Sequence, residues 1–555
     1  TAGTLAFTGT GLGDSDRNRI FIVGQADGLI GAWATVNGAT PAAYSSSRGV
    51  YAAEASAYTD IAARGPASTI PDAGANSAIR INSDGTSGAI TLAAATTTLG
   101  SLAQNTATEA VVDTAGKTLR ATRIEIPAGK AGITIGATAG EGTLASAAAG
   151  GGLALANDST VPLTVNAIIA DNTSASSLGK IGSGAVVLSA ANTFSGATTL
   201  SGGPLLLAHA DALQNSIVTP YDGSPLFDAS VSGHAFTFGG LAGTRGFALN
   251  DTAGNPVTLT VGQNPAGTTY SGALSGSGSL VKTGAGTLTL TGANTHSGGT
   301  TIHAGGTLAA GHAQALGTGP VINNGTLNLT LSPAIYSGLS TSLSGAGTNN
   351  VSLITGSAGS LTTLNGDYSG FTGVWHLGVN AGAGANRVQM NGSDNPAASI
   401  IVRTNATLYV SSSASPHHAS ISLQGGNTGE ANGQLRLDNN ARWDGPIQLT
   451  APITDGNDGF LGCASGSGYV AGKISDGGGA YAFNKVGGGT LHLMNAENDF
   501  GGAIWVRAGW LRAYSMRVLG EPSALGAPTS VANGTIKLGN GTTTAGLAYI
   551  GNGDT

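Results

Sequence analysis

The sequence predicts an all-β chain wound as a β-solenoid. Three observations predict it: a glycine-rich and charge-poor composition, a pattern returning about every hundred residues, and short strands almost without aromatic anchors. Glycine supplies 92 of the 555 residues, where roughly 7% is usual. Charged residues are 9%, against a typical share of roughly 25%. Proline is too scarce, and glycine too irregular, for a collagen-like helix. A hydrophobic content of 41% with a mean hydropathy of +0.13 leaves enough Leu, Ile and Val for a core, which argues against disorder. So little Lys, Glu and Arg argues against long surface helices.

The pattern begins at three of the lysines. Leu178-Gly-Lys180-Ile-Gly-Ser-Gly-Ala-Val-Val-Leu188 is followed by Ala191-Asn192-Thr-Phe-Ser-Gly196. Leu280-Val-Lys282-Thr-Gly-Ala-Gly-Thr-Leu-Thr-Leu290 is followed by Asn294-Thr-His-Ser-Gly-Gly299. Phe483-Asn-Lys485-Val-Gly-Gly-Gly-Thr-Leu-His-Leu493 is followed by Asn498-Asp-Phe-Gly-Gly502. The lysines lie 102 and 203 residues apart, close to one and two units of a common length. Repetition on this scale points to a repeat architecture. The repeat positions are Lys180, Gly184, Asn192 and Gly196 in the first copy. In the second they are Lys282, Gly286, Leu288, Leu290, Asn294, Gly298, Gly299 and Leu308, and in the third Lys485, Gly489, Leu491, Leu493, Gly501, Gly502 and Leu511.

Within a unit the period is two. In Thr287-Leu-Thr-Leu-Thr291 the leucines are expected to face a core and the threonines solvent. Ile124-Glu-Ile126, Leu163-Thr-Val165 and Leu435-Arg-Leu437 alternate likewise, and Gly, Asn, Ser and Asp clusters punctuate the strands. Such spacing suits either a series of sandwiches or a solenoid. Aromatics decide between them: none occurs between Tyr58 and Phe194. A sandwich core leans on large rings, whereas stacked coils need only a thin apolar column. Residues 1–70, richer in charge and aromatics, are expected to open or cap the solenoid without a break, and 71–555 to form it, with repeat copies near 178–218, 280–321 and 483–526. Tyr51 to Ala63 is the best helical candidate. At ~22 residues per coil the chain makes roughly 25 coils.

Lys282 to Gly317, reading K-T-G-x-G-x-L-x-L-x-G-x-N-T-x-S-G-G-T-T-I and closing on A-L-G, resembles the passenger-associated β-strand repeat of bacterial autotransporter proteins. Lys180 to Gly203 and Lys485 to Leu511 resemble degenerate copies. The resemblance implies a right-handed parallel β-helix (β-solenoid), an elongated rod displayed at the bacterial cell surface or in the extracellular space. No series of alternating strands with aromatic girdles follows Lys485, so the family's membrane barrel is not expected within this chain. The start at Thr1 without methionine or signal peptide suggests a processed product or a part of something larger.

The chemistry-bearing residues read as structural. The repeat lysines are expected to cap turns or meet carbonyls. Asn192 and Asn294 stand at strand-to-turn junctions, where Asn tolerates left-handed backbone and stacks along a solenoid. The nine histidines, among them His296, His303, His312, His417, His418 and His492, read as solvated or turn residues. The acidic pairs Asp14 with Asp16, Asp455 with Asp458, and Glu497 with Asp499 are the candidates for a polysaccharide lyase or hydrolase, which needs two carboxyls at a set separation. They read as surface turns, and Asp455-Gly-Asn-Asp-Gly459 lacks the terminal glutamate of a calcium loop. Single Cys463 excludes an intramolecular disulfide framework. No catalytic, metal or cofactor site is expected, and no nucleic acid partner, since no basic run exists to meet phosphates. No apolar segment is long enough for a spanning helix. The expected function is that of a non-enzymatic structural or adhesive surface protein, self-associating head to tail into filaments or meeting cell-surface and matrix components and glycans. The alternatives are a carbohydrate-active enzyme and a glycan-binding module.

Overall fold

A computed structural model describes residues 5–551, apart from 9–11, 13–18, 24, 26–27, 31–33, 37–39, 47–48, 53–57, 66–67, 332–341, 354–360, 380–386, 391–394, 405, 412–416, 427, 429–431 and 454–458. The described residues form a parallel β-solenoid of about 18 turns, with a single 3-10 turn at Ser232–His234 among them. They divide into two compact units, residues 1–288 with 294–298, and 289–293 with 299–555.

The first unit opens on short strands that do not coil. Thr40–Ser45 runs antiparallel to Gly28–Leu29, Ala34–Val36 and Gly49–Ala52 over a small core of Phe7, Leu12, Ile30, Val36, Ala42, Tyr44 and Val50. The best helical candidate, 51–63, holds strands where it is described, Gly49–Ala52 and Tyr58–Ala62, and its residues 53–57 lie outside the described residues. From Tyr58 onward the paired strands are parallel, each resting on the strand one coil back. A second ladder shows why these sequences coil. In Ala110–Val112, Ile133–Ile135, Leu163–Val165 and Val186–Leu188 the outer residues of each triplet are buried and the middle one is half-buried. In register, Val112, Ile135, Val165, Leu188, Leu207 and Phe227 form one inward column. Strand alternation sends every second side chain inward, and in-register stacking places it on its counterpart. Each such aliphatic side chain contributes roughly 1.5–3 kcal/mol. Within the coils of this unit buried rings cluster after Phe194, with Phe227 4.8 Å from Phe236 and Phe247 6.0 Å from Tyr270.

The second unit stacks in the same way on three ladders. Its inward column runs Leu308, Leu327, Asn349, Trp375, Ile400, Ile421, Ile447, Ile474. Its core includes two tryptophans, Trp375 and Trp443, with Phe371, Phe460 and Phe483 also buried. Leu288, Leu290, Ile302 and Leu308 are buried, while Thr287 and Thr289 are half-buried and Thr291 exposed. Stacking covers the flanks of an outward threonine but not its tip.

Turns are fewer than the expected 25 because coil length varies. Lys180 pairs with Leu200, twenty residues on, but Arg123 pairs with Ala154, thirty-one on. Gly509 pairs with Ala545, thirty-six on. The coil-free opening segment also takes part of the chain.

Candidate functional site

The repeat residues cluster around the turn that ends one strand and the coil that follows. Lys180, Lys282 and Lys485 are all buried. The Lys180 Nζ donates to the carbonyls of Gly182 at 2.6 Å, Gly202 at 2.7 Å and Ile181 at 3.2 Å. Lys485 Nζ donates to Gly487, Gly489 and Ala508, each at 2.6 Å. Lys282 Nζ donates to Thr283 and, at 3.0 Å, to Gly284. An ammonium has three protons to give, and carbonyls of a tight turn receive them where no strand partner is available. Burial nevertheless lowers each lysine from its usual 10.5 to about 8. In two copies the acceptors include the next coil, at Gly202 and Ala508, so the side chain ties consecutive turns together.

The asparagine repeats the device with a neutral group. Its Oδ1 accepts from the backbone of the preceding coil at 2.8 Å in every copy: Ile169 to Asn192, Leu274 to Asn294, Ile474 to Asn498. Nδ2 of Asn192 donates forward to Ala212 at 2.9 Å, and that of Asn498 to Ala524 at 3.1 Å. One side chain thus joins three coils. The asparagines bond along the solenoid but are not left-handed turn residues: none of the three has positive φ, which among the described non-glycine residues falls on Thr173, His234, Asn439, Asn440 and Ala480.

Glycine is required four residues after each lysine by crowding. A Cβ on Gly184 would lie 2.1 Å from the Ser159 carbonyl oxygen, on Gly286 2.5 Å from that of Ala266, and on Gly489 2.6 Å from the Cys463 Sγ. Four residues after each asparagine the same holds: Gly196, Gly298 and Gly502 press on the carbonyls of Ser176, Gly278 and Tyr481. Gly299 has φ +91°, while Gly501 is uncrowded. Leu491, Leu493 and Leu511 are buried in the core.

The family model for the passenger-associated-transport-repeat matches residues 178–207, 280–310 and 483–513. The chain carries autotransporter passenger repeats. Three copies on a parallel β-solenoid have the character of an autotransporter passenger domain, a class secreted to the cell surface or the extracellular space. No curated protein and no solved structure matches the chain.

Around the passenger repeats, the other candidates within the described residues do not converge. Asp14, Asp16, Asp455 and Asp458 lie outside the described residues. Glu497 is exposed, and Asp499 pairs with Lys473 at 2.6 Å. Among the described residues no three of His, Cys, Asp or Glu gather as metal ligands, and no helix is long and apolar enough to cross a membrane. Two cavities, of about 40 Å³ near Trp375 and Trp443 and about 130 Å³ near Met516 and Leu519, have no carboxylate in their walls. Cys463 is a buried thiol, pushed up to about 11 by burial.

Two histidines depart from the solvated reading. His492 is buried beneath Tyr469, and His296 is fully buried. His296 occupies the place taken by Phe194 and Phe500, two residues after the repeat asparagine, and both rings are buried too. Burial lowers it from 6.5 to about 4. The signal was present in the copies, where Asn-x-Phe aligns with Asn-x-His. Four further side chains serve turns without any repeating motif. Gln104 Nε2 donates to Thr108 at 2.8 Å and Asn157 Nδ2 to Ala185 at 2.7 Å. Asn323 Nδ2 donates to Thr348 at 3.0 Å and Gln434 Nε2 to Arg403 at 3.0 Å.

Proposed function

We propose that the chain is a non-enzymatic passenger presented on the outside of a bacterial cell, a scaffold whose outer faces make adhesive contacts. The observation that carries this reading is the use of the repeat side chains. The ammonium groups of Lys180 and Lys485 and the amides of Asn192 and Asn498 are turned inward and spent on the backbone of their own and neighbouring coils. Groups held in that way build coils rather than meet a substrate. Low charge, 9%, weakens electrostatic opposition to close packing against other surfaces. The partners of this reading are a second copy of the chain, other cell-surface or matrix components, and glycans.

Two measurements test it. Protease shaving of intact cells should release fragments of the chain, and protection equal to that of a cytoplasmic marker overturns the external location. Incubation of the purified chain with acidic and neutral polysaccharides should release no oligosaccharide. Turnover that disappears in Asp455→Asn or Asp14→Asn overturns the scaffold reading in favour of an enzyme.

A further inference from the structure

The second unit carries an outward surface of aromatic and basic side chains on its last described strands. On the strands Ser467–Val470, Thr490–Leu493 and Gly509–Ala513, the in-register outward row is Tyr469, His492, Arg512. Trp510 and Arg512 share the outer face of the last of these strands, where exposed and buried residues alternate, and Tyr514 follows at the same spacing. Trp510 is 48% exposed. It sits in register with Gly546, and three atoms of its six-membered ring lie 2.5–2.9 Å from where a Cβ on that glycine would be. Any side chain at 546 would displace the indole. The glycine therefore lets the ring settle against the backbone while leaving half of it open to solvent.

Beside this ring on the same ladder lies a second group of rings. Tyr469 stacks on His492 at 4.4 Å, and the His492 Nδ1 lies 3.2 Å from the Tyr514 hydroxyl. These three hold each other side by side, and Arg512 stands exposed among them. Burial and, secondarily, the Arg512 charge hold His492 below the usual histidine range, and Arg512 supplies the row's guanidinium. The wider segment from 500 to 551 has four basic residues, Arg507, Arg512, Arg517 and Lys537, and a single acid, Glu521. In a chain of net charge −7 it is a local excess of positive charge.

We propose that the Trp510–Arg512–Tyr514 face is a binding site for an acidic saccharide, a deepening that rests on the adhesive reading above. The π face of an indole is electron-rich, and the C–H face of a pyranose ring presents weakly positive hydrogens that lie against it. A guanidinium offers a planar fork to a carboxylate or sulfate. A ring and an Arg two residues apart on one strand face stand about 6–7 Å apart along the strand, the span from a sugar ring's face to the acidic group of the same or the adjacent residue. The face is lateral to the stack, so coils that extend the ladder lengthwise leave it open.

The test is calorimetric titration of the full purified chain with three probes: an oligogalacturonate hexamer, its fully methyl-esterified form, and a sulfated oligosaccharide of equal length. The acids should bind, more weakly as salt is raised, and the two acids together distinguish carboxylate from sulfate preference. Trp510→Ala should weaken binding of the preferred acid at least tenfold. Arg512→Gln should erase the preference for acid over methyl ester while keeping weak stacking. Unchanged circular dichroism and hydrogen exchange of both variants verify the fold, and Trp510→Phe, which keeps a ring, should retain part of the affinity. No binding of either acid, or equal binding by the parent and both variants, overturns the proposal. Because these titrations use purified chain, their failure leaves the cell-shaving result intact, and the two readings fail separately.

Discussion

The coil that follows Lys180 and the coil that follows Trp510 close the same kind of turn with twenty and thirty-six residues. The short coil has no slack. Its lysine takes carbonyls from its own turn and the next, its asparagine reaches both neighbours, and its glycines sit where nothing larger fits. The long coil bonds to itself: Gly520 donates to Pro528 at 2.9 Å and Gly534 to Ser530 at 2.8 Å. It leaves Met516, Val518, Leu519 and Val531 exposed. The contrast shows what the repeat is for. In the repeat copies, Lys, Gly and Asn at fixed spacing hold the turn of a short coil, although Arg387 and Thr407 also pair across twenty residues without a repeat lysine.

The largest test of that contrast removes a lysine. Lys485→Ala strips donors from the carbonyls of Gly487, Gly489 and Ala508. Each buried group left unsatisfied costs about 1–3 kcal/mol, so the copy at 483–513 should lose about 3–5 kcal/mol of local stability, partly relieved by entering water. Lys485→Met refills the volume without the protons and should recover no more than about 1–2 kcal/mol. Because solenoids need not unfold in one step, the readout is hydrogen exchange of the amides in that copy. Full recovery by methionine would mean that volume, not hydrogen bonding, closes the coil.

Next in size is the response to acid of the one copy with a histidine in the aromatic position. His296 titrates at about 4 in the folded chain and 6.5 when unburied. Between those values the unfolded chain holds a proton that the folded chain does not. Stability should therefore fall as pH drops from 6.5 to 4, by up to about 3 kcal/mol, and level off below. His296→Phe, which puts the ring of Phe194 and Phe500 in that place, should remove the His296 share of the slope and leave the part due to His376 and His492, which burial also holds below the usual range. The lysines act with the same sign at the other end. Each releases its proton at about 8 when folded and 10.5 when exposed, so stability should climb between those values. A variant lacking His296 whose acid slope matches the parent's would assign the slope elsewhere.

Smaller again is Asn192→Ala, which deletes the bonds to Ile169 and Ala212. About 1–2 kcal/mol should be lost, with faster exchange at the Ile169 amide.

The parts of this arrangement legible from sequence were those that recur. Lys, Gly and Asn stand at matched offsets in three copies, and alternation exposes Leu288 and Leu290 as inward residues before any coordinates. Gln104, Asn157, Asn323 and Gln434 perform a comparable service but share no motif, because any amide that reaches a turn carbonyl suffices. His296 was misread because its polarity outweighed its alignment with phenylalanine. Coil number was overestimated because periodicity reports where strands lie, not how much chain loops out between them. Trp510 was invisible as a platform, since its meaning depends on Gly546, thirty-six residues away and adjacent only once the coil has closed.

The smallest expected effect tests the other side of the contrast. Three residues, Gly-Ser-Gly, inserted between Glu521 and Pro522 lengthen a loop that already bonds to itself and lies largely on the surface. Closure entropy grows only with the logarithm of loop length, so the change should stay below about 0.5 kcal/mol. The same three residues between Gly182 and Ser183 push the turn away from the Lys180 ammonium and drive the Gly184 region out of its fit beside Ser159. There the loss should approach that of a lysine deletion, about 3 kcal/mol. Hydrogen exchange across both variants compares the two insertions directly. Equal tolerance at the two sites would show that short coils are not held by their lysines; equal damage would show that the long coil, for all its exposed side chains, is as tightly constrained as the repeat.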